Sequence, residues 1–166
     1  VRISRAALYM AMAQLLAMRG TCTRARVGAV VVKDGRVIST GYVGSPSGTP
    51  HCIDVGCEIG PGGGCIRTVH AEANAIAFAA KYGIALEGST MYCTLSSCRK
   101  CAELIINSGI KEVVYLNEYR DMAGPDLLEK AGVTVRFLVK GEKVNELLEE
   151  VMEEDTEQGL SEMPAE

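Results

Sequence analysis

Two short motifs in this chain have to meet in space. His70-Ala71-Glu72 stands well ahead of Cys98-Arg99-Lys100-Cys101. One neutral imidazole and two thiolates can hold a zinc ion and leave its fourth position to water. Glu72, two residues past the histidine, is then near enough to move protons without binding the metal. For these side chains to converge, the chain between them must run out and come back. Residues 70–82 are alanine-rich and closed by Gly83, which predicts a helix; Thr90 to Leu95 alternates and predicts a strand. The next predicted helix, Arg99 to Asn107, opens at Ser96-Ser97, residues suited to capping it. Two helices then begin at one edge of a sheet, where open α/β folds place their ligands.

The rest of the chain supplies that sheet. Residues 3–19 place Ile3, Ala6, Ala7, Met10, Ala11, Ala13 and Leu15 at near-helical intervals and stop at Gly20. Val27 to Val32 and Val37 to Tyr42 flank Lys33-Asp34-Gly35-Arg36, which predicts a hairpin. Lys111 to Leu116 and Val133 to Val139 predict two further strands, with a short helix between them over 124–130. Val144 to Met152 predicts a last amphipathic helix. Alternating strand and helix in the second half implies parallel strands. The expected fold is a three-layer α/β/α sandwich around a five-stranded mixed sheet, one domain over 1–153 with an acidic, disordered tail over 154–166.

Charge and hydropathy narrow the partners. Residues 142–166 hold ten acids and one lysine, net −9 against −4 for the whole chain, so residues 1–141 carry +5. A mildly basic body of this kind suits a small anionic ligand better than extended nucleic acid. No apolar run approaches the roughly 20 residues of a membrane span. Residues 6–18 are interrupted by Gln14 and lack a cleavage site, so a signal peptide is not expected and a cytoplasmic protein is.

Seven cysteines in such a chain point to metal or catalysis, not to disulfides. Cys93 falls inside a predicted strand and reads as a small core residue. Cys22, ahead of the first strand, and Cys52, Cys57 and Cys65, in the glycine-rich stretch 41–64, could complete a second, structural zinc site. His51 is an alternative ligand there. Four unrelated thiols are the other reading, because the spacing is not a standard finger.

Longer motifs now add up. His-x-Glu followed by Pro-Cys-x-x-Cys is the zinc deaminase signature, with Ser97 here in the proline's place. Arg26-Val27-Gly28-Ala29-Val30, Gly41-Tyr42-Val43-Gly44-Ser45-Pro46, Cys65-Ile66-Arg67-Thr68-Val69-His70-Ala71-Glu72-Ala73-Asn74-Ala75 and Thr94-Leu95-Ser96-Ser97-Cys98-Arg99-Lys100-Cys101 resemble the deoxycytidylate deaminase family of the cytidine deaminase-like superfamily. The resemblance covers residues 22–101 and extends loosely to about Val139. It implies zinc-dependent hydrolysis of dCMP to dUMP and ammonia, supplying thymidylate synthesis. His70, Cys98 and Cys101 would hold catalytic zinc, with Glu72 as proton shuttle. Cys22, Cys52 and Cys65 match the family's second zinc site, and Cys57 stands where related sequences often have histidine. The family also implies homohexamers, activation by dCTP and inhibition by dTTP.

The chain departs from the family at two points. Val43 replaces the asparagine of Gly-Tyr-Asn-Gly and cannot hydrogen-bond a sugar or an effector. Ser97 replaces proline, and serine also suits a helix start. Arg26, Asn74 and Tyr119 are candidate substrate contacts, Arg26 suited to a phosphate; each reads equally as a solvated or structural residue. Val43 keeps open a deaminase of another or 5-modified cytosine nucleotide. A zinc-stabilised nucleic-acid-binding module is the reading from another class; two Phe, six Tyr and no Trp leave it few stacking platforms.

Overall fold

A computed structural model of the chain describes residues 2–138. The predicted helix over 144–152, the predicted strand's last residue Val139 and the acidic tail over 154–166 lie outside the described residues.

The first helix, α1 (Arg5–Met18), starts where Ser4 accepts the Ala7 N–H at 3.0 Å. β1 (Gly28–Lys33) and β2 (Arg36–Tyr42) follow as a hairpin. Asp34 and Gly35 both take positive φ, 51° and 72°, as a two-residue turn matched to strand twist requires. Then come α2 (Cys52–Val55), α3 (Ala71–Lys81), β3 (Thr90–Leu95), α4 (Arg99–Asn107), β4 (Glu112–Asn117), α5 (Ala123–Lys130) and β5 (Thr134–Phe137). The sheet order is β2-β1-β3-β4-β5. β1 runs antiparallel to β2 and β3, and β3, β4 and β5 run parallel. This is the expected mixed five-stranded sheet.

Strand alternation sorts the core into two layers. On one face Val30, Val32, Tyr92 and Val114 pack under Tyr9, Met10 and Ala13 of α1. On the other, Ala29, Val31, Met91, Cys93, Val113 and Tyr115 pack under Ala71, Ala75 and Ala79 of α3, Ala102 and Ile105 of α4 and Leu128 of α5. Cys93 is fully buried there, as a core residue. Among the described residues no helix is long and apolar enough to cross a membrane.

Two close approaches set the helix starts. A Cβ on Gly41 would run into the Ala71 carbonyl and the Ala75 backbone, so only glycine lets α3 lie this near β2. Ser39 Oγ adds a 2.6 Å bond to the Ala75 carbonyl. A Cβ on Gly124 would likewise strike the Ser97 carbonyl, which packs the start of α5 onto the peptide that opens α4.

Two local expectations are corrected. The stretch 41–64, whose glycines and prolines predict no regular structure, contains the end of β2 and the single turn α2, which ends at Gly56 with φ 83°, and the bridges Gly44–Val69 and Ile59–Cys65 tie it to the residues before α3. One turn is too short to show a helical period. Neither Ser96 nor Ser97 caps α4, whose capping position is Cys98, with no side-chain bond. Both hydroxyls have other partners: Ser96 Oγ accepts the Tyr119 N–H at 2.7 Å, and Ser97 Oγ accepts the Tyr115 hydroxyl at 2.8 Å.

Candidate active site

His70 is the residue just before α3 and Cys98 the one just before α4, both with extended backbone. Cys101 follows one turn into α4. The free N–H groups and positive dipole ends of two helices thus converge where the thiols lie. His70 Nδ1 stands 3.5 Å from Cys98 Sγ and 3.5 Å from Cys101 Sγ. Tetrahedral zinc, with bonds of about 2.3 Å to sulfur and about 2.05 Å to nitrogen, places S and N about 3.5 Å apart. The three atoms therefore fit the ion before any movement. Nδ1, not Nε2, is the nitrogen that faces the thiols, a choice the sequence leaves open.

The charges agree with that geometry. Hydrogen bonds from the Cys101 thiol and the His70 ring pull the Cys98 thiol down to about 3, against its burial. Cys101 is pushed up, first by sharing its proton with Cys98 and then by burial. The bond to Cys98 raises His70, outweighing burial. The cluster favours positive charge between its ligand atoms.

Glu72 is 3% exposed, the second residue of α3. Burial raises its carboxyl above the ordinary range, opposed by its own backbone N–H, the charge of His70 and a hydrogen bond from Ser97. A carboxyl so placed is suited both to take a proton and to return it.

The second cluster forms as well. The Sγ atoms of Cys22, Cys52, Cys57 and Cys65 all lie within 4.8 Å of one another. Cys52 and Cys65 are 3.6 Å apart, close to the roughly 3.8 Å edge of a zinc–sulfur tetrahedron. Burial lifts the Cys52 thiol to about 12. Burial acts to raise the half-buried Cys65 as well, yet hydrogen bonds from the Arg67 backbone and Cys52 bring it down to about 6. His51 stays outside this group, its Nδ1 against Thr21 Oγ1 at 3.1 Å.

Both clusters border one cavity of about 270 Å³. Its lining takes in His70, Glu72 and Cys98, Cys22 and Cys65 of the second cluster, and Val43 and Tyr119. Arg24 and Arg120 stand at it too, residues that sequence reasoning passed over. The only signal was adjacency, Arg24 two past Cys22 and Arg120 next to Tyr119. Arg24 is tied to the Gly63 carbonyl at 2.7 Å, and the Arg120 guanidinium lies 5.4 Å from the Tyr119 ring centre. Arg26 is exposed and outside the lining. Asn74 also lies outside it and donates its amide to the Tyr42 carbonyl at 2.8 Å.

Residues 3–117 match the family described as the cytidine and deoxycytidylate deaminase zinc-binding region. The chain belongs to that family. Membership decides for a zinc-dependent hydrolytic deaminase over the nucleic-acid-binding module. Within this family the chain is similar to the ComE operon protein 2 of Bacillus subtilis, 42% identical over 147 residues covering 88% of this chain and 77% of that one. The deoxycytidylate deaminase of enterobacteria phage T4 is 36% identical over 183 residues, covering 86% and 94%. The dCMP deaminase of cyanophage S-TIM5, solved in complex with dCMP and dUMP, superposes with a TM-score of 0.72 at 38% identity, covering 79% of this chain and 94% of that one.

Proposed function

We propose that this chain hydrolyses dCMP to dUMP and ammonia and so supplies dUMP for thymidylate synthesis. The observation that carries the reading is a buried carboxylate, Glu72, beside a three-ligand cluster that opens into a cavity bordered by two arginines. Relatives that share the fold and are named deoxycytidylate deaminases support the substrate.

When zinc is held by His70, Cys98 and Cys101, it supplies the Lewis acidity that makes water a nucleophile near neutral pH. Glu72 accepts one proton from the attacking water and passes it to N3 of the cytosine ring, then takes the proton of the newly added hydroxyl and passes it to the departing amine. Its burial keeps bulk water from competing for them. We assign the 5′-phosphate to Arg24 and Arg120, whose forked donors suit it, and the sugar and base edge to Tyr119 and Val43. Asn74 acts one step away, by fixing the end of β2. Cys22, Cys52, Cys57 and Cys65 hold a second zinc that orders the glycine-rich wall.

The same reading extends to a cytoplasmic homohexamer under dCTP activation and dTTP inhibition. The outward stripe of α1, Leu8, Leu15 and Met18 at 43 to 47% exposure, supports association. A second substrate reading, a 5-substituted dCMP, is favoured by the apolar Val43 in the cavity wall.

Incubation with dCMP, CMP, deoxycytidine and 5-methyl-dCMP, each with and without dCTP, tests these assignments. dCMP is expected to turn over fastest. Absence of dCMP turnover overturns the reading, and faster turnover of 5-methyl-dCMP replaces it with the second.

A further inference from the structure

We infer that Ser96 is a positioning residue for nucleotide selectivity. Its buried hydroxyl holds the Tyr119–Arg120 loop to the peptide that carries Cys98. That bond sets how far the phosphate side of the cavity stands from the metal ligands. The inference rests on the deaminase reading and on its assignment of the 5′-phosphate to Arg120.

The loop begins where the sheet ends. β3 and β4 are last paired at Leu95 and Asn117, and the Ser96 N–H donates to the Asn117 carbonyl at 2.9 Å. Asn117 returns its side-chain amide to the Thr94 carbonyl at 3.1 Å. Beyond these bonds the two chains part. Ser97 and Cys98 lead into α4, and residues 118–122 run to α5. The Tyr119 N–H lies past the ladder and finds its acceptor in a side chain, Ser96 Oγ, at 2.7 Å. Ser96 is 3% exposed, so water is a poor substitute for that acceptor.

The far end of the loop is tied to the very next residue. Gly124 packs so closely on the Ser97 carbonyl that a Cβ would strike it, and Asp121 Oδ1 accepts the Ala123 N–H at 2.9 Å. Ser96 and Ser97 thus hold the two ends of a short loop, and the metal ligand Cys98 follows them directly. Tyr119 and Arg120 lie between the anchors, and both line the cavity together with Ser96, His70 and Cys98. Arg120, whose guanidinium lies 5.4 Å from the Tyr119 ring centre, is the residue next to the bonded amide. The far anchor is backbone against backbone. The near anchor is one hydroxyl, and removing it releases the Tyr119 end of the loop.

A bond that only tightens the fold would lower stability and treat every substrate alike. A bond that places Arg120 acts on the substrate that carries a phosphate, and acts through KM. The test uses the full chain with dCMP and deoxycytidine, and the thermal midpoint is recorded for each variant. Ser96→Ala is expected to raise KM for dCMP about fivefold with kcat within about twofold, the size of one hydrogen bond. The ratio of kcat/KM for dCMP to that for deoxycytidine should fall by about as much. Ser96→Thr keeps the hydroxyl and is expected to hold KM for dCMP within about twofold of the parent's. In an Arg120→Ala background, adding Ser96→Ala is expected to move that KM by less than about twofold, because the contact it places is already gone. An unchanged KM in Ser96→Ala, a rise shared equally by deoxycytidine, or losses that multiply in the double variant overturn the inference and leave the deaminase reading standing. Arg120→Ala with an unchanged KM for dCMP overturns the phosphate assignment and the inference with it. Where Ser96→Ala fails to fold, amide exchange in the parent decides. The Tyr119 N–H is expected to exchange about 100-fold more slowly than in the unfolded chain, and equal rates overturn the inference. A parent that turns over no cytosine nucleotide overturns both.

Discussion

The His70, Cys98 and Cys101 cluster takes its ligands from the first turns of α3 and α4, whereas Cys22, Cys52, Cys57 and Cys65 come from loops and one helical turn. Helices packed on a sheet hold their own termini in place, so the first cluster needs no metal to be assembled. Gly41 and Gly124 tighten it further by letting backbone meet backbone. The second cluster has no such frame. Its loop holds Gly60, Gly62, Gly63 and Gly64, and few of its apolar side chains are inside: Ile53, Val55, Ile59 and Ile66 are all more than half exposed. Ordering such a stretch costs about 1 to 2 kcal/mol per residue, which metal binding can offset. Three ligands on a rigid frame beside a carboxylate leave a coordination position for chemistry. Four ligands on a soft frame close the tetrahedron and supply order.

The sharpest way to break that comparison is Glu72→Gln. This change is expected to lower kcat by about 1,000-fold while both zinc ions and the thermal midpoint stay near the parent's. Zinc analysis beside a turnover assay checks it, and loss of metal would make Glu72 part of the frame. Cys52→Ser should do the reverse. Cys52 is 1% exposed, and replacing it is expected to lower zinc from two ions per chain to one and the thermal midpoint by about 10 °C. An unchanged zinc content would reduce that cluster to four neighbouring thiols. Arg120→Ala acts on the rim that both clusters share. It is expected to raise KM for dCMP about 10-fold and to leave deoxycytidine, which has no phosphate, unaffected. Equal effects on the two substrates would remove the phosphate from Arg120.

The same contrast governs what could be read in advance. The strands and the four longer helices were legible as apolar or periodic runs between turn signals, and their observed bounds differ from the expected ones by at most two residues. His70 and Cys98 were legible as helix starts for that reason. α2 was not, since four residues carry no period and its place depends on Cys52 reaching three distant thiols. Arg24 and Arg120 were hidden in a different way. A charged residue beside a loop cysteine is ordinary on any surface, and only the folded loop brings these two to one cavity. Ser97 looked like a helix cap from its neighbours, yet its hydroxyl's partner, Tyr115, arrives from another strand.

The smallest effect belongs to Val43, where the ordered wall meets the substrate cavity. Its backbone is already committed: its N–H donates to the Val27 carbonyl at 2.9 Å, and its carbonyl accepts from the Thr21 N–H at 3.0 Å. Neither bond uses the side chain, so Val43→Asn is expected to keep the wall in place. The isopropyl group is 5% exposed and lines the cavity with Val27. An asparagine amide put there brings two donors and an acceptor into an apolar wall, and leaving them unmet costs about 1 to 3 kcal/mol. A thermal midpoint lower by about 3 °C is the stability readout. The substrate readout is the ratio of kcat/KM for 5-methyl-dCMP to that for dCMP. An apolar wall meeting the base tolerates a methyl group, so the ratio is expected to fall about threefold on substitution, less than the roughly 10-fold of a fully enclosed methyl contact. An unchanged ratio, with a changed ratio of CMP to dCMP, would move Val43 from the base to the sugar. A shift in neither would confine it to holding the loop, and would make the second cluster's wall structural up to its last residue.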